Sequence, residues 1–140
     1  MNLLLDTCVL SEMVKPKPDG RVVAWLAAQR PDALYISTLT LGELQKGIAK
    51  LEPCIRNTYL ETFLHTDIQE GFTERTLSVD TGVALAWGSL VAQSEQAGQR
   101  MPYVDSLIAA TALFHGMTLV TRNIRDMEAS GVALFNPWSD

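Results

Sequence analysis

Histidine and cysteine are nearly missing from this chain, with two of each among 140 residues. His65 and His115 have no ligand partners at useful spacing, so a histidine-built metal site is not expected. His115, just before Gly116, reads as a helix C-terminal cation or cap. Cys8 and Cys54 form no C-x-x-C pattern and are too few for a disulfide framework, which points to a reducing, cytoplasmic setting. No basic segment precedes the first hydrophobic run, so no signal peptide is expected. Long apolar runs are also lacking. The longest mainly apolar stretch, Val83 to Ala92, contains Gly88 and Ser89 and is too short to cross a bilayer. There is no internal repeat, low-complexity tract or linker. Basic charge is in deficit, with 11 Lys and Arg against 16 Asp and Glu, a net charge of -5. That balance argues against polyanion binding over the whole surface. A nucleic-acid enzyme is still allowed, because clustered metal-binding carboxylates would account for much of the excess and a bound cation would reverse the local sign.

What the chain does have is apolar material. Hydrophobic residues make up 47% and charged residues 19%, enough for one packed core, so residues 1–140 are read as a single domain. Leu3 to Leu5 is a short buried strand. A helix is expected over Cys8 to Val14, stopped by Pro16 and Pro18, and another over Arg21 to Gln29. Leu34 to Ser37 is a second strand, and Thr38 or Thr40 is expected to cap the next helix, where Leu41, Leu44, Ile48 and Leu51 form a stripe. Pro53 opens a helix carrying Ile55, Tyr59 and Phe63 and ending near Thr66. Thr76 to Val79 reads as strand three. Asp80 caps a long helix reaching Gln96, and Pro102 begins one that Gly116 stops. Met117 to Val120, a short helix over Ile124 to Met127, and a strand over Val132 to Phe135 complete the chain. The alternation predicts an α/β fold, a three-layer α/β/α sandwich with a mainly parallel central sheet.

Asp6 directly follows Leu3-Leu4-Leu5. An acid where a buried strand leaves the core points into the crevice at the strand's carboxyl end, where open α/β sheets bind ligands. Glu43 in Leu41-Gly42-Glu43-Leu44, Asp105 in Tyr103-Val104-Asp105-Ser106, and Asp126 after Val120-Thr121-Arg122-Asn123 also stand in apolar company. Carboxylates are rarely buried unpaired, so if these meet they call for a cation, and a hard divalent metal is the simplest. Asp6 would be a direct ligand. Glu43, one methylene longer, suits metal binding, orienting a metal-bound water, or general base work. Asp105 in a first helical turn is favoured by the dipole. Taken singly, Asp105 reads equally as helix N-terminal charge and Glu43 as a solvated helix residue. Phosphodiester hydrolysis is the reaction such an acid-only site serves best.

The segments Leu4-Leu5-Asp6-Thr7, Ile36-Ser37-Thr38-Leu39-Thr40-Leu41-Gly42-Glu43-Leu44, Asp105-Ser106-Leu107-Ile108-Ala109-Ala110-Thr111 and Thr118-Leu119-Val120-Thr121-Arg122-Asn123, with the terminal Asn136-Pro137-Trp138, resemble PIN-domain ribonucleases. The likeness is to VapC-type toxins, especially the FitB and StbB plasmid-stability branch, and runs nearly end to end. The resemblance implies a Mg²⁺- or Mn²⁺-dependent endoribonuclease acting on structured RNA, often tRNA. It implies a VapB-type antitoxin partner that inserts a basic side chain among the acids, and a homodimer within the toxin–antitoxin complex, with no membrane association. The family's first three acids fall on Asp6, Glu43 and Asp105. Its fourth falls on Asn123, which brings no charge, and Asp126 one turn later is the substitute. The family's common asparagine after Asp-Thr is here Cys8, whose thiol cannot reproduce amide hydrogen bonds.

Thr7 and Thr121 are candidates for hydrogen bonds that orient the acids, a turn or capping role being the alternative. Arg122 and Arg125 flank the site and are the best candidates for RNA phosphate contacts, with Lys15, Lys17, Arg21, Lys46 and Lys50 as further backbone-path residues or ordinary solvated surface. Trp25, Trp87 and Trp138 read as core or interface, Trp138 also as a dimer contact. Three other functional readings stand. A phosphoacceptor signalling domain lacks paired acids after strand one, and its late strand ends Val120-Thr121-Arg122 without the expected lysine. A phosphatase with Asp6 as nucleophile lacks the second acid, since Cys8 holds that place. A catalytically impaired PIN-type binding protein is kept open by Asn123 and Cys8.

Overall fold

Three consecutive leucines at a sheet's centre must point alternately to opposite faces, and this alternation sets the architecture. The computed structural model describes residues 1–53 and 58–139. Strands β1 (Leu3–Leu5), β2 (Leu34–Ser37), β3 (Thr76–Leu77), β4 (Thr118–Val120) and β5 (Leu134–Phe135) form one sheet in the order β3-β2-β1-β4-β5. All four pairings are parallel, with Leu4 opposite Tyr35 on one side and Leu119 on the other. Helices α1 (Thr7–Glu12), α2 (Gly20–Ala27), α3 (Thr38–Ala49), α4 (Thr58–Thr62), α5 (Thr81–Gln96), α6 (Tyr103–Phe114) and α7 (Ile124–Met127) connect them. Leu3, Leu5, Leu34, Ile36 and Val120 face a core completed by Val9 and Leu10 of α1, Val22 of α2 and Leu44 and Ile48 of α3. Leu4 and Leu119 face the opposite core, with Val83 and Leu90 of α5, Ile108 and Ala109 of α6 and Met127 of α7. These two cores on opposite sheet faces make the three-layer α/β/α sandwich, and both faces of β1 are covered, as an all-parallel sheet requires.

Local signals end the helices where the sequence places them. Asp80 caps α5 by accepting from the Val83 amide at 3.0 Å. Gly98 (φ +72°) and Gly116 (φ +66°) take the left-handed conformation after α5 and α6. There the Gln99 and Met117 amides reach back to the Ser94 and Ala112 carbonyls, the bond that seals such ends.

Some expectations change. Ser37, the last residue of β2, caps α3 by accepting from the Leu39 amide, so Thr38 and Thr40 lie inside that helix. Helix α4 does not end near Thr66. It passes into a π-helical stretch over Phe63–Glu70, whose Phe63, Leu64 and Ile68 fill the first core. Ile55, expected on the same face, lies outside the described residues. Trp138 is 5% exposed and belongs to the first core, one of the two places expected for it. Strand β5 is two residues long, because Val132 turns into the second core and the ladder begins only at Leu134.

Glu12 is buried and anchors the segment after α1. One carboxylate oxygen accepts from Lys15 Nζ at 2.9 Å and the other from the Asp19 amide at 2.8 Å. Lys15 is the chief reason its carboxyl is held below the usual range. Leu4, with no exposed surface, carries the sheet's centre. Leu4→Ala is expected to lower the unfolding free energy by about 2–5 kcal/mol, read as a lower urea midpoint.

Candidate functional site

The chain runs from β1 to β2 to β3 across one side of the sheet, then returns to place β4 on the other side of β1. The carboxyl ends of β1 and β4 therefore form the switch point where open α/β sheets bind ligands. Asp6 sits there. Its amide donates to the Val120 carbonyl at 2.9 Å and the Thr121 amide donates to the Phe135 carbonyl at 2.9 Å, so the ladder fixes both backbones. The Asp6 carboxylate, 3% exposed, caps α1 by accepting from the Thr7 amide at 2.8 Å and accepts from the Thr121 hydroxyl at 2.7 Å. Burial pushes the Asp6 carboxyl up. The Thr121 and Thr7 hydrogen bonds oppose that, and the Glu43 charge adds to it.

Glu43 arrives from α3. Its Oε1 accepts from the Thr7 hydroxyl at 2.6 Å. Thr7 Oγ1 is also 3.1 Å from Thr40 Oγ1. A hydroxyl carries a single proton, and here it goes to the carboxylate, so Thr40 is the donor in the second contact. Thr7 thus joins two acids, through its amide to Asp6 and through its hydroxyl to Glu43. Thr40 was not expected at the site. The signal is its place three residues before Glu43, on the same helical face, combined with full burial of a polar side chain.

Asp105 enters from the first turn of α6. Burial pushes its carboxyl up to about 6, and the charges of Asp6, Glu43 and Asp126 push in the same direction. Asp105 therefore lies in the field of the other three acids, and Asp6 in that of Glu43. None of them makes an ion pair with the described residues. Asn123 precedes α7 without capping it through its side chain, and its amide donates to the Thr121 hydroxyl at 3.0 Å. The charge that reaches Asp105 from this segment is that of Asp126.

Cys8 has a fuller role than a lost amide suggests. Burial pushes its thiol up to about 11, with Asp6 adding to the shift, so it stays protonated at neutral pH. The neutral thiol donates toward Asp6 Oδ2 at 3.8 Å and accepts from the Arg122 amide at 3.5 Å, bridging the β1 and β4 ends as a weak donor and acceptor. Arg122 turns its guanidinium over the Trp138 ring, 5.3 Å from the centroid, and its side chain is exposed. Arg125 is exposed on α7.

Among the described residues no three of these carboxylates yet stand in a common coordination sphere. The donor set nonetheless fits a hard divalent cation. It is all oxygen, the Asp6 and Asp105 carboxyls are raised by burial and by neighbouring negative charge, and no lysine or arginine among the described residues pairs with these acids.

A family model described as PIN domain matches residues 3–129. The chain belongs to the PIN domain family. It is 35% identical over 136 residues to VapC ribonuclease Y4jK of Sinorhizobium fredii, covering 97% of each chain. It is 37% identical over 138 residues to Toxin FitB of Neisseria gonorrhoeae, covering 99% of each. The solved structure of FitAcB from Neisseria gonorrhoeae superposes with a TM-score of 0.93 at 36% identity, covering 99% of both chains. No helix among the described residues of this PIN domain chain is long and apolar enough to cross a membrane.

Because the Asp105 carboxyl is raised in the folded state, its contribution to stability is fully present below its unfolded value. That contribution is lost as pH rises toward about 6. Asp105→Asn is expected to raise the melting temperature at pH 7.5 and leave it little changed at pH 4. A divalent cation is expected to raise the wild-type melting temperature at pH 7.5 and to do so less in the variant.

Proposed function

We propose that this PIN domain chain is a metal-dependent endoribonuclease, the toxin of a toxin–antitoxin pair, cleaving phosphodiester bonds of structured RNA such as tRNA to inhibit growth. The observation that carries the reading is the buried Asp6 at the sheet's switch point together with Asp105, whose carboxyl is raised by burial and by the charges of Asp6, Glu43 and Asp126, with no cationic partner for these acids among the described residues. The names of the relatives, a VapC ribonuclease and a toxin, support it.

Asp6, Glu43 and Asp105 are the residues to hold Mg²⁺ or Mn²⁺, with Asp126 supplying the charge that Asn123 lacks. When bound, the cation supplies neutralisation of the scissile phosphate and an acidified water. The protein's part is positioning. Thr121 and the Thr7 amide fix both oxygens of Asp6, which stops the carboxylate from rotating away. Thr7 holds one oxygen of Glu43 and leaves the other free to take a proton from an attacking water. Asp105, with no hydrogen bond to the described residues, keeps both oxygens available. Arg122 and Arg125 flank the acids and suit the RNA backbone on either side of the cut. The VapB-type antitoxin would silence the site by placing a basic side chain where the acids expect a cation. A homodimer within that complex and a cytoplasmic location complete the reading. Asn123 favours an impaired binding protein as the second reading, and the nearby Asp126 charge weighs against it.

The test is cleavage of total tRNA by the purified full-length chain with Mg²⁺. Wild type is expected to produce discrete fragments, chelation to stop them, and Asp6→Asn to reduce cleavage to background with the fold intact. Full activity in that variant would overturn the reading. Thr121→Val is expected to lower metal affinity or activity by roughly 10–100-fold. In cells, expression without an antitoxin should arrest growth, and Asp105→Ala should relieve the arrest.

A further inference from the structure

Behind Asp105, on the flank of α6 that faces α5, lies a cavity of about 170 Å³. We infer that it is a guanine-binding pocket, reading one base of the RNA strand beside the cleaved bond. The inference rests on the ribonuclease reading and names the substrate feature that the site would select.

The pocket has a fixed aromatic wall. The Trp87 indole N–H donates to Ser106 Oγ at 2.9 Å, and Ser106 donates in turn to the Tyr103 carbonyl at 2.6 Å. These bonds tie the α5 indole to the first turn of α6, the turn that carries Asp105. Tyr103 and Ser106, three apart, share one helical face, and Asp105 between them faces the acids. The pocket and Asp105 thus share the first turn of α6. The Trp87 and Tyr103 ring centroids are 5.5 Å apart at 39°. A base inserted between two rings needs about 7 Å, so the base belongs in the cavity against Trp87 and Met101, with the exposed Tyr103 ring at its mouth. Base–aromatic contact of this kind is how unpaired nucleotides are held. The volume suits a single base, well below that of a drug-sized site.

Two charged groups line the same cavity. Glu95, at the end of α5, and Arg100, in the turn before α6, make no hydrogen bond or ion pair with the described residues. A carboxylate that only accepts and a guanidinium that only donates match one base edge best. Guanine offers N1–H and N2–H donors to the carboxylate, and its O6 and N7 acceptors are the usual bidentate partners of arginine. Adenine would set its N6 donor against the guanidinium, uracil has no two adjacent acceptors for the arginine, and cytosine, whose N3 and O2 can face the arginine, offers the carboxylate a single amino group in place of guanine's paired N1–H and N2–H donors.

The experiment has a binding arm and a cleavage arm. In the first, full-length Asp6→Asn protein with Mg²⁺ is titrated with five-nucleotide pyrimidine RNAs carrying one central G or A, followed by anisotropy and tryptophan fluorescence. The guanine oligonucleotide is expected to bind roughly 10–100-fold more tightly than the adenine one. Adding Glu95→Ala or Arg100→Ala should erase the difference, and Trp87→Phe should diminish the fluorescence response. Equal binding of both RNAs, or a preference untouched by Glu95→Ala and Arg100→Ala, overturns the pocket. In the second arm, wild-type chain cleaves a random-sequence RNA pool, and guanine is expected at one fixed position near the cut. Cleavage with no base preference sinks the pocket and leaves the ribonuclease reading standing. Absence of cleavage sinks the ribonuclease reading, and the binding arm alone then decides the pocket.

Discussion

Repulsion among carboxylates that the fold forces together is the constraint around which this molecule is organised. Asp6 is buried at the end of the central strand, and Asp105 is pushed up by burial and by three neighbouring negative charges. Such groups would relax outward or be neutralised by lysine or arginine if stability alone governed the structure. Neither happens. The hydroxyls of Thr7 and Thr121, the Thr7 amide and the Cys8 thiol hold the acids in place without cancelling their charge. A site that keeps its charge uncompensated has reserved it for something outside the chain.

The sheet makes this arrangement rigid. Asp6 and Thr121 are adjacent only because β4 pairs with β1 after the chain has built β2 and β3 on the other side. Both residues take the last ladder hydrogen bonds of their strands, and both cores press on the strands beneath them. Hydrogen bonds from Thr7 and Thr121 then limit rotation of the Asp6 and Glu43 carboxylates. Preorganisation of this sort places the energetic burden on folding rather than on ligand capture.

Much of the fold could be read from the chain. The Leu3 to Leu5 run, the Asp80 cap, the Gly116 stop and the acid-bearing helix after Pro102 are local signals whose physics acts within a few residues. The misreadings share a cause. Thr38 and Thr40 looked like caps because their chemistry permits it, but β2 ends at Ser37 and so assigns the cap one residue earlier. The helix expected to end near Thr66 continues because Ile68 has a core to fill.

By itself the sequence determined the order of elements, the acids worth watching and the likeness to a nuclease family, because hydrophobic period, caps and motifs are written in neighbouring residues. Only the tertiary structure decided that Thr7 links Asp6 to Glu43, that Cys8 bridges two strand ends, and that the Asp126 charge reaches Asp105. Those relations join residues far apart in the chain, and sheet order, which no local pattern encodes, is what brings them within hydrogen-bonding and electrostatic range.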